Sequence, residues 1–355
     1  EGGAIVVEDV RDGGILAMAS YPDYDLATVY SDAALYAAAS QDPLHPFVNR
    51  ATMGLYSPGS TFKPLVAIAG LEEGVVTATE RIQDTGYLML QEEEHYPYGD
   101  YHPQCWYYRQ YGGRHGRENL SDALRDSCNI YFFTVGHRLG IERVDQYAAL
   151  FGLGQSTGFE LGEYTGQVAG PETSQRHGNT WYGGLLLTAS IGQGDTLCTP
   201  LQMTNYIATL VNGGYHYTPH LLRSVKSNDY SQTLYDSQPT GANRLDLDPE
   251  NLEAVKYGMW RVANDPESSV YRYFQDLPVE VGAKTGTAQV ASELEADAVF
   301  VCFAPYDEPQ IAITLVVEGG GSGGYLARAA AEIIRYYFSV ESTPESVDTE
   351  NTLLH

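Results

Sequence analysis

Three short strings hold residue types that do chemistry together: Ser60-Thr61-Phe62-Lys63, Ser127-Cys128-Asn129 and Lys284-Thr285-Gly286-Thr287. A serine hydroxyl attacks a carbonyl only when a base sits beside it. Ser60 and Lys63 stand three apart at a helix start, so their side chains share a face. Lysine must lose its proton to serve as that base, and burial or a second cation pushes its pKa down from about 10.4. Lys284 is the candidate second cation. The Ser127 hydroxyl suits a proton relay to a leaving group, and Asn129 offers a substrate amide both a donor and an acceptor. Gly286 lacks a side chain, so a strand edge there lies flush against an extended peptide. Lys284 with the Thr285 and Thr287 hydroxyls suits a carboxylate. The backbone N–H groups of Ser60 and Thr287 are the expected oxyanion hole, each such donor being worth roughly 10²–10³ in rate. Any one string alone is an ordinary helix start, cap or strand end. All three in this order, with Pro58-Gly59 leading into Ser60, read as a serine acyl-transferring enzyme.

The elements that must position these residues show in the hydrophobic pattern. Apolar runs at 4–10 and 14–19, joined by Arg11-Asp12-Gly13, predict a hairpin. Runs at 280–290, 297–304 and 310–317 predict three more strands, and 325–338 a helix. Two strands at the start and three at the end, with helices between, predict one antiparallel sheet closed by remote parts of the chain. The middle is mostly helical. A helix is expected from Ser60 to Leu71, with Pro64 tolerable only near its beginning. Two short helices over 120–139 break at Ser127-Cys128-Asn129, and Asp248-Pro249 opens another that runs to 263. Residues 84–118 and 226–247 read as irregular loops, and 341–355 as an acidic, disordered tail.

With 43% hydrophobic and 19% charged residues, the 355-residue chain is of globular composition. Its 20 Lys and Arg against 46 Asp and Glu give a formal charge of −26, which repels phosphate backbones and argues against nucleic acid as a partner. No run approaches the roughly 20 apolar residues of a membrane span. The chain opens at Glu1, without Met, straight into strand-like sequence, and reads as a piece of something longer. Most of the 28 tyrosines are expected to serve packing rather than sugar stacking.

Together the motifs resemble those of the transpeptidase domain of class B penicillin-binding proteins, over residues 1 to about 338. The resemblance extends to Asn49-Arg50-Ala51 before Tyr56-Ser57-Pro58-Gly59, to Ile191-Gly192-Gln193-Gly194, to Thr199-Pro200-Leu201-Gln202 and to Asn212-Gly213-Gly214. FVNRATMGLYSPGSTFKP is closer to the cell-elongation branch than to the division branch, with sporulation-specific relatives similar. It implies an α/β chain of the α+β type: an antiparallel sheet (from 1–20 and 280–338) flanked by helices, with a mostly helical subdomain at about 50–215, all within a domain of 1–340. The activity implied is D,D-transpeptidation, in which Ser60 attacks the D-Ala-D-Ala carbonyl of a peptidoglycan stem peptide and an amine from a neighbouring stem then takes the acyl group; β-lactams would acylate the same serine. A glycan polymerase and the cell-wall elongation complex are the implied partners. The implied location is the extracytoplasmic face of the bacterial cytoplasmic membrane, on an N-terminal anchor that this chain lacks. Rival readings with the same acylation half are a β-lactamase or D,D-carboxypeptidase, and a β-lactam sensor or scaffold.

No cofactor is expected for catalysis. The resemblance does imply a structural zinc site, because a subset of elongation-type relatives builds one from an acidic residue, a second acidic or sulfur ligand, a His-Gly histidine and the cysteine of the second motif. Asp84, Cys105, His115 and Cys128 match that pattern, and two thiolates, an imidazole and a carboxylate make a closed tetrahedral set. A disulfide between Cys105 and Cys128 is the competing reading, and His95, Asp100 or His102 are alternatives to Asp84. Cys198 and Cys302 sit among apolar residues, as buried small hydrophobes do.

Overall fold

The hydrophobic runs at the two ends of the chain meet in one sheet. In the computed structural model, which describes residues 1–90, 95–239, 243–289 and 295–341, strands β1 (Gly3–Asp9) and β2 (Ile15–Tyr21) form the first hairpin. Strands β3 (Gly282–Ala288), β4 (Asp297–Ala304) and β5 (Ile311–Val317) come from the far end. The order is β2-β1-β5-β4-β3, antiparallel throughout, with Val6 opposite Thr314 and Thr287 opposite Ala298. This is the sheet expected from the sequence, and it leaves β3, with the Lys284-Thr285-Gly286-Thr287 string, at an edge.

Every residue of β4 is buried because both faces are covered. Val299, Val301 and Phe303 face the helical body, while Phe300, Cys302 and Ala304 face a second layer. That layer is closed by the C-terminal helix (Ala327–Glu341), whose Ala327, Ala330, Ala331 and Ile334 recur at helical spacing. Of the expected tail, the structure describes only Glu341; the remainder lies outside the described residues.

The helical body contains α1 (Lys63–Glu72), α2 (Leu120–Arg125), α3 (Asn129–Leu139), α4 (Gly183–Ala189), α5 (Pro200–Val211) and α6 (Pro249–Asn264). Local chemistry sets their ends. Asn119 and Asp122 form a capping box on α2, and Thr199 with Gln202 does the same on α5, where Pro200 takes the first helical position. All twelve residues of α5 are buried.

Three expectations are corrected. Ser60 does not begin an α-helix: Gly59–Phe62 is a 3₁₀ turn, since Gly59 has φ +52°, and the α-helix starts at Lys63. The 84–118 region is not wholly irregular. Strands Ile82–Asp84 and Gly116–Glu118 pair across it, and Trp106–Tyr111 is a short aromatic helix ended by left-handed Gly112. In 226–247, Ser224–Lys226 pairs with Thr233–Asp236 and Asn243–Arg244 with Tyr215–His216. Every residue of that first pair is exposed, so no alternation marks it in the sequence. No helix among the described residues is long and apolar enough to cross a membrane.

Candidate active site

The site is built on the turn that carries Ser60. Gly59 N–H and Ser57 Oγ both donate to the Gly192 carbonyl, at 2.8 and 2.7 Å. Thr61 Oγ1 donates to the Pro58 carbonyl at 2.7 Å, and buried Tyr206 on α5 hydrogen-bonds the Thr61 carbonyl. A side chain at Gly59 would stand 2.8 Å from the Thr287 carbonyl, and one at Gly286 would stand 2.9 Å from the Pro58 carbonyl and from Thr61 Cγ2. The two glycines therefore let β3 close onto the nucleophile turn. Ser60 itself is half-buried, and Thr287 is exposed.

Lys63 and Lys284 are fully buried. Lys63 Nζ donates to the Ser127 carbonyl (2.7 Å), to Ser127 Oγ (3.1 Å) and to Asn129 Oδ1 (2.7 Å). Its hydrogen bonds go to the second motif rather than to Ser60. Lys284 Nζ reaches the same Ser127 Oγ at 3.0 Å and the Thr285 carbonyl at 3.1 Å. One serine hydroxyl thus accepts from two buried lysine amines. Ser127 manages this with φ +53°, a left-handed conformation that a non-glycine residue holds only when its surroundings demand it. Its carbonyl and hydroxyl are both turned toward Lys63 as a result.

Burial pushes the Lys63 ammonium down to about 8, against the opposing pull of Cys105, Cys128 and Glu118. Lys284 is held well below the ordinary lysine value, by burial first and by the Lys63 charge second. The sequence reading named burial and a second cation as the two ways of depressing Lys63. In the structure desolvation does it, and the cation–cation repulsion is felt at Lys284.

Beside the second motif, four potential metal ligands converge. Asp84 ends one short strand, His115 precedes its partner strand, Cys105 caps the aromatic helix and Cys128 caps α3. Their ligand atoms all lie within 4.8 Å of one another. His115 Nδ1 is 2.8 Å from Asp84 Oδ2 and 3.4 Å from Cys105 Sγ. Burial works to raise Asp84, yet hydrogen bonds from His115 and the Gly86 N–H bring it to about 2. The Cys105 thiol falls to about 5, chiefly through its hydrogen bond with Cys128, whose own thiol burial pushes well up. A buried carboxylate, two cysteine sulfurs and a histidine ring in one cluster are a donor set that suits a soft divalent cation. The cysteines are free, so the disulfide reading is set aside. The cluster takes Asp84 rather than the three alternatives, and His102 is directed instead at the Leu88 carbonyl.

Several residues went unassigned in the sequence reading. Gln193 donates to the Thr287 carbonyl at 2.9 Å and accepts from the Gln289 N–H at 3.3 Å; the sequence signals it through the Ile191-Gly192-Gln193-Gly194 string, to which no role was attached. Glu318, anchored by Arg50 at 2.8 Å, accepts from Tyr56 Oη at 2.9 Å and so holds the approach to the nucleophile turn. Glu118 is buried beside the ligand cluster, its acidity pushed by desolvation to about 8. Nothing local in the sequence marks Glu318 or Glu118 as special.

A half-buried serine, two buried lysines around a second serine, and an edge strand closing against the nucleophile turn fit a serine acyltransferase. Residues 3–336 match the penicillin binding protein transpeptidase domain, and the chain belongs to that family. It is 35% identical over 350 residues to the peptidoglycan D,D-transpeptidase MrdA of Escherichia coli K12, covering 93% of this chain and 53% of that protein. The chain thus spans about half the length of the curated relative. The crystal structure of Pseudomonas aeruginosa PBP2 in complex with WCK 5153 is 33% identical, with a TM-score of 0.81 over 97% of this chain and 74% of that one. The complex of PBP2 and MreC from Helicobacter pylori gives 28% identity and a TM-score of 0.80 over 95% of this chain and 60% of that one.

Proposed function

We propose that this chain is a peptidoglycan D,D-transpeptidase domain that cross-links stem peptides through an acyl-enzyme on Ser60. The observation that carries the reading is the Ser127 hydroxyl shared by Lys63 and Lys284, at 3.1 and 3.0 Å, beside the Ser60 turn. A neutral Lys63 takes the Ser60 proton as Oγ attacks the D-Ala carbonyl. The Ser60 and Thr287 N–H groups receive the oxyanion. As the C–N bond breaks, the proton passes from Lys63 through Ser127 to the departing D-Ala amine. An acceptor amine then attacks the ester and returns its proton along the same path. Lys284, Thr285 and Thr287 hold the terminal carboxylate. Asn129 Oδ1 is occupied by Lys63, which directs the Asn129 Nδ2 donors to the substrate amide.

Asp84, Cys105, His115 and Cys128 are proposed as ligands of a structural zinc, which would neutralise the thiolates and tether the 84–118 segment next to Ser127. Working on stem peptides places the domain at the outer face of the cytoplasmic membrane, beside a glycan polymerase. The PBP2–MreC complex supports an elongation-complex partner for the whole protein.

The test is intact mass after exposure to penicillin, with Ser60→Ala alongside. A lasting adduct of one penicillin, absent from the variant, is the expected result. Labelling that survives in Ser60→Ala refutes the assignment, and an adduct that clears within seconds as hydrolysed drug accumulates makes the domain a β-lactamase.

A further inference from the structure

The edge of β3 that faces away from β4 pairs with no other strand of the sheet, and such edges are where extended peptides add their backbone. Part of that edge is already taken, by the primary amide of Gln193. Its Nε2 donates to the Thr287 carbonyl at 2.9 Å and its Oε1 accepts from the Gln289 N–H at 3.3 Å. A carbonyl only accepts and an N–H only donates, so these two partners fix which end of the amide is which. Pairing with the carbonyl of 287 and the N–H of 289 is what one residue of a parallel strand would do beside Ala288. The side chain therefore imitates a strand residue.

Gln193 is well placed to act on the reaction from here. It lies in a turn whose Gly192 carbonyl holds both Gly59 and Ser57 of the nucleophile turn. A Cβ on Gly59 would stand 3.2 Å from Gln193 Nε2 and 2.8 Å from the Thr287 carbonyl. Amide, nucleophile turn and strand edge are thus in mutual contact. Gln193 and Thr287 also lie on accessible surface, so the bond is within reach of a ligand.

We propose that the Gln193 side chain is a displaceable cap on the substrate-pairing edge of β3, competing with the amide N–H of an acyl donor for the Thr287 carbonyl and so tempering the preference for donors that carry that N–H in register. The inference rests on the proposed acyl-transfer function. A donor with that N–H replaces Nε2 and leaves the carbonyl satisfied. A donor without it gains nothing by displacing the cap, and reacts with the cap still in place. Gln193 is on this account a specificity-determining residue and not a catalytic one.

The experiment compares Ser60 acylation rates for benzylpenicillin, whose side chain begins with an amide N–H, and penicillanic acid, which carries no nitrogen, and so no N–H, at that ring carbon. Removing the cap spares the amide-bearing ligand the loss of exposed hydrogen bonds. The ratio of the two rates should therefore rise roughly two- to tenfold in Gln193→Ala. Gln193→Glu keeps the size but loses the donor, so its ratio should rise as well, and it carries the test if the alanine variant fails to fold. A role in merely supporting the turn would change both rates together. A ratio that is unchanged or lower, in a chain that does acylate, overturns the cap alone. An unsubstituted chain acylated by neither ligand overturns the proposed function and the cap with it.

Discussion

Burial of Lys63 makes a quantitative prediction about pH. With its pKa brought to about 8, about one-tenth of Lys63 is neutral at pH 7 and about nine-tenths at pH 9. If neutral Lys63 is the base for Ser60, the acylation rate constant rises about tenfold between those values, with its midpoint near 8. Asn129→Asp moves that midpoint. Asn129 Oδ1 lies 2.7 Å from Lys63 Nζ, and a carboxylate in its place favours the ammonium by about 1–3 pKa units. The assay is stopped-flow or quenched penicillin labelling from pH 6 to 10, on the unsubstituted chain and on Asn129→Asp. The midpoint is diagnostic and the absolute level is not, because the new charge also meets the substrate. Loss of the fold cannot imitate the rise. The folded pKa of Lys63 lies below its value of 10.5 in the unfolded chain, so between about 8 and 10.5 the unfolded form binds more protons, and this group's contribution to stability rises with pH. A flat profile, or a midpoint in Asn129→Asp equal to or below that of the unsubstituted chain, would refute Lys63 as the base.

Metal analysis of the purified domain should find one zinc per chain. Cys128→Ser, or removal of the metal by a strong chelator, should lower the melting temperature and slow acylation together, because Cys128 adjoins the strained Ser127; a chain without zinc that melts and acylates normally would contradict the tether. Gly59→Ala puts a Cβ where φ is +52° and the Thr287 carbonyl is 2.8 Å away. The left-handed conformation alone costs about 1–2 kcal/mol, so acylation should fall at least tenfold while circular dichroism stays native-like. An unaffected rate would show that β3 and the nucleophile turn need not touch.

The three motifs were legible in the sequence because their chemistry depends on residue type and short spacing, whereas Asp84, Cys105, His115 and Cys128 were named only through the resemblance to elongation-type relatives and are brought together by the fold. The sheet was legible too, since β1, β4 and β5 are dominated by apolar runs and Arg11-Asp12-Gly13 is a hairpin turn. Less legible were the exposed strand pair at 224–236, which has no buried face to pattern it, and the 3₁₀ turn at Ser60, which depends on how Gly59 packs against β3.

Some properties of the site belong to the tertiary structure alone. A three-residue spacing brings Ser60 and Lys63 to one face, but only folding decides that Lys63 is turned toward Ser127, 64 positions away, and that Lys284 arrives from the far end of the chain at the same hydroxyl. The depressed pKa of both lysines is chiefly a desolvation effect, a property of the surrounding helices and sheet rather than of any neighbour in sequence. Glu318 under Tyr56 and Gln193 on the β3 edge are likewise long-range pairings between ordinary polar residues. Residue type and local spacing dictate which groups are able to react. Which protons are held, and which edges are open, depends on burial and on contacts between distant segments, and those exist only once the chain has folded.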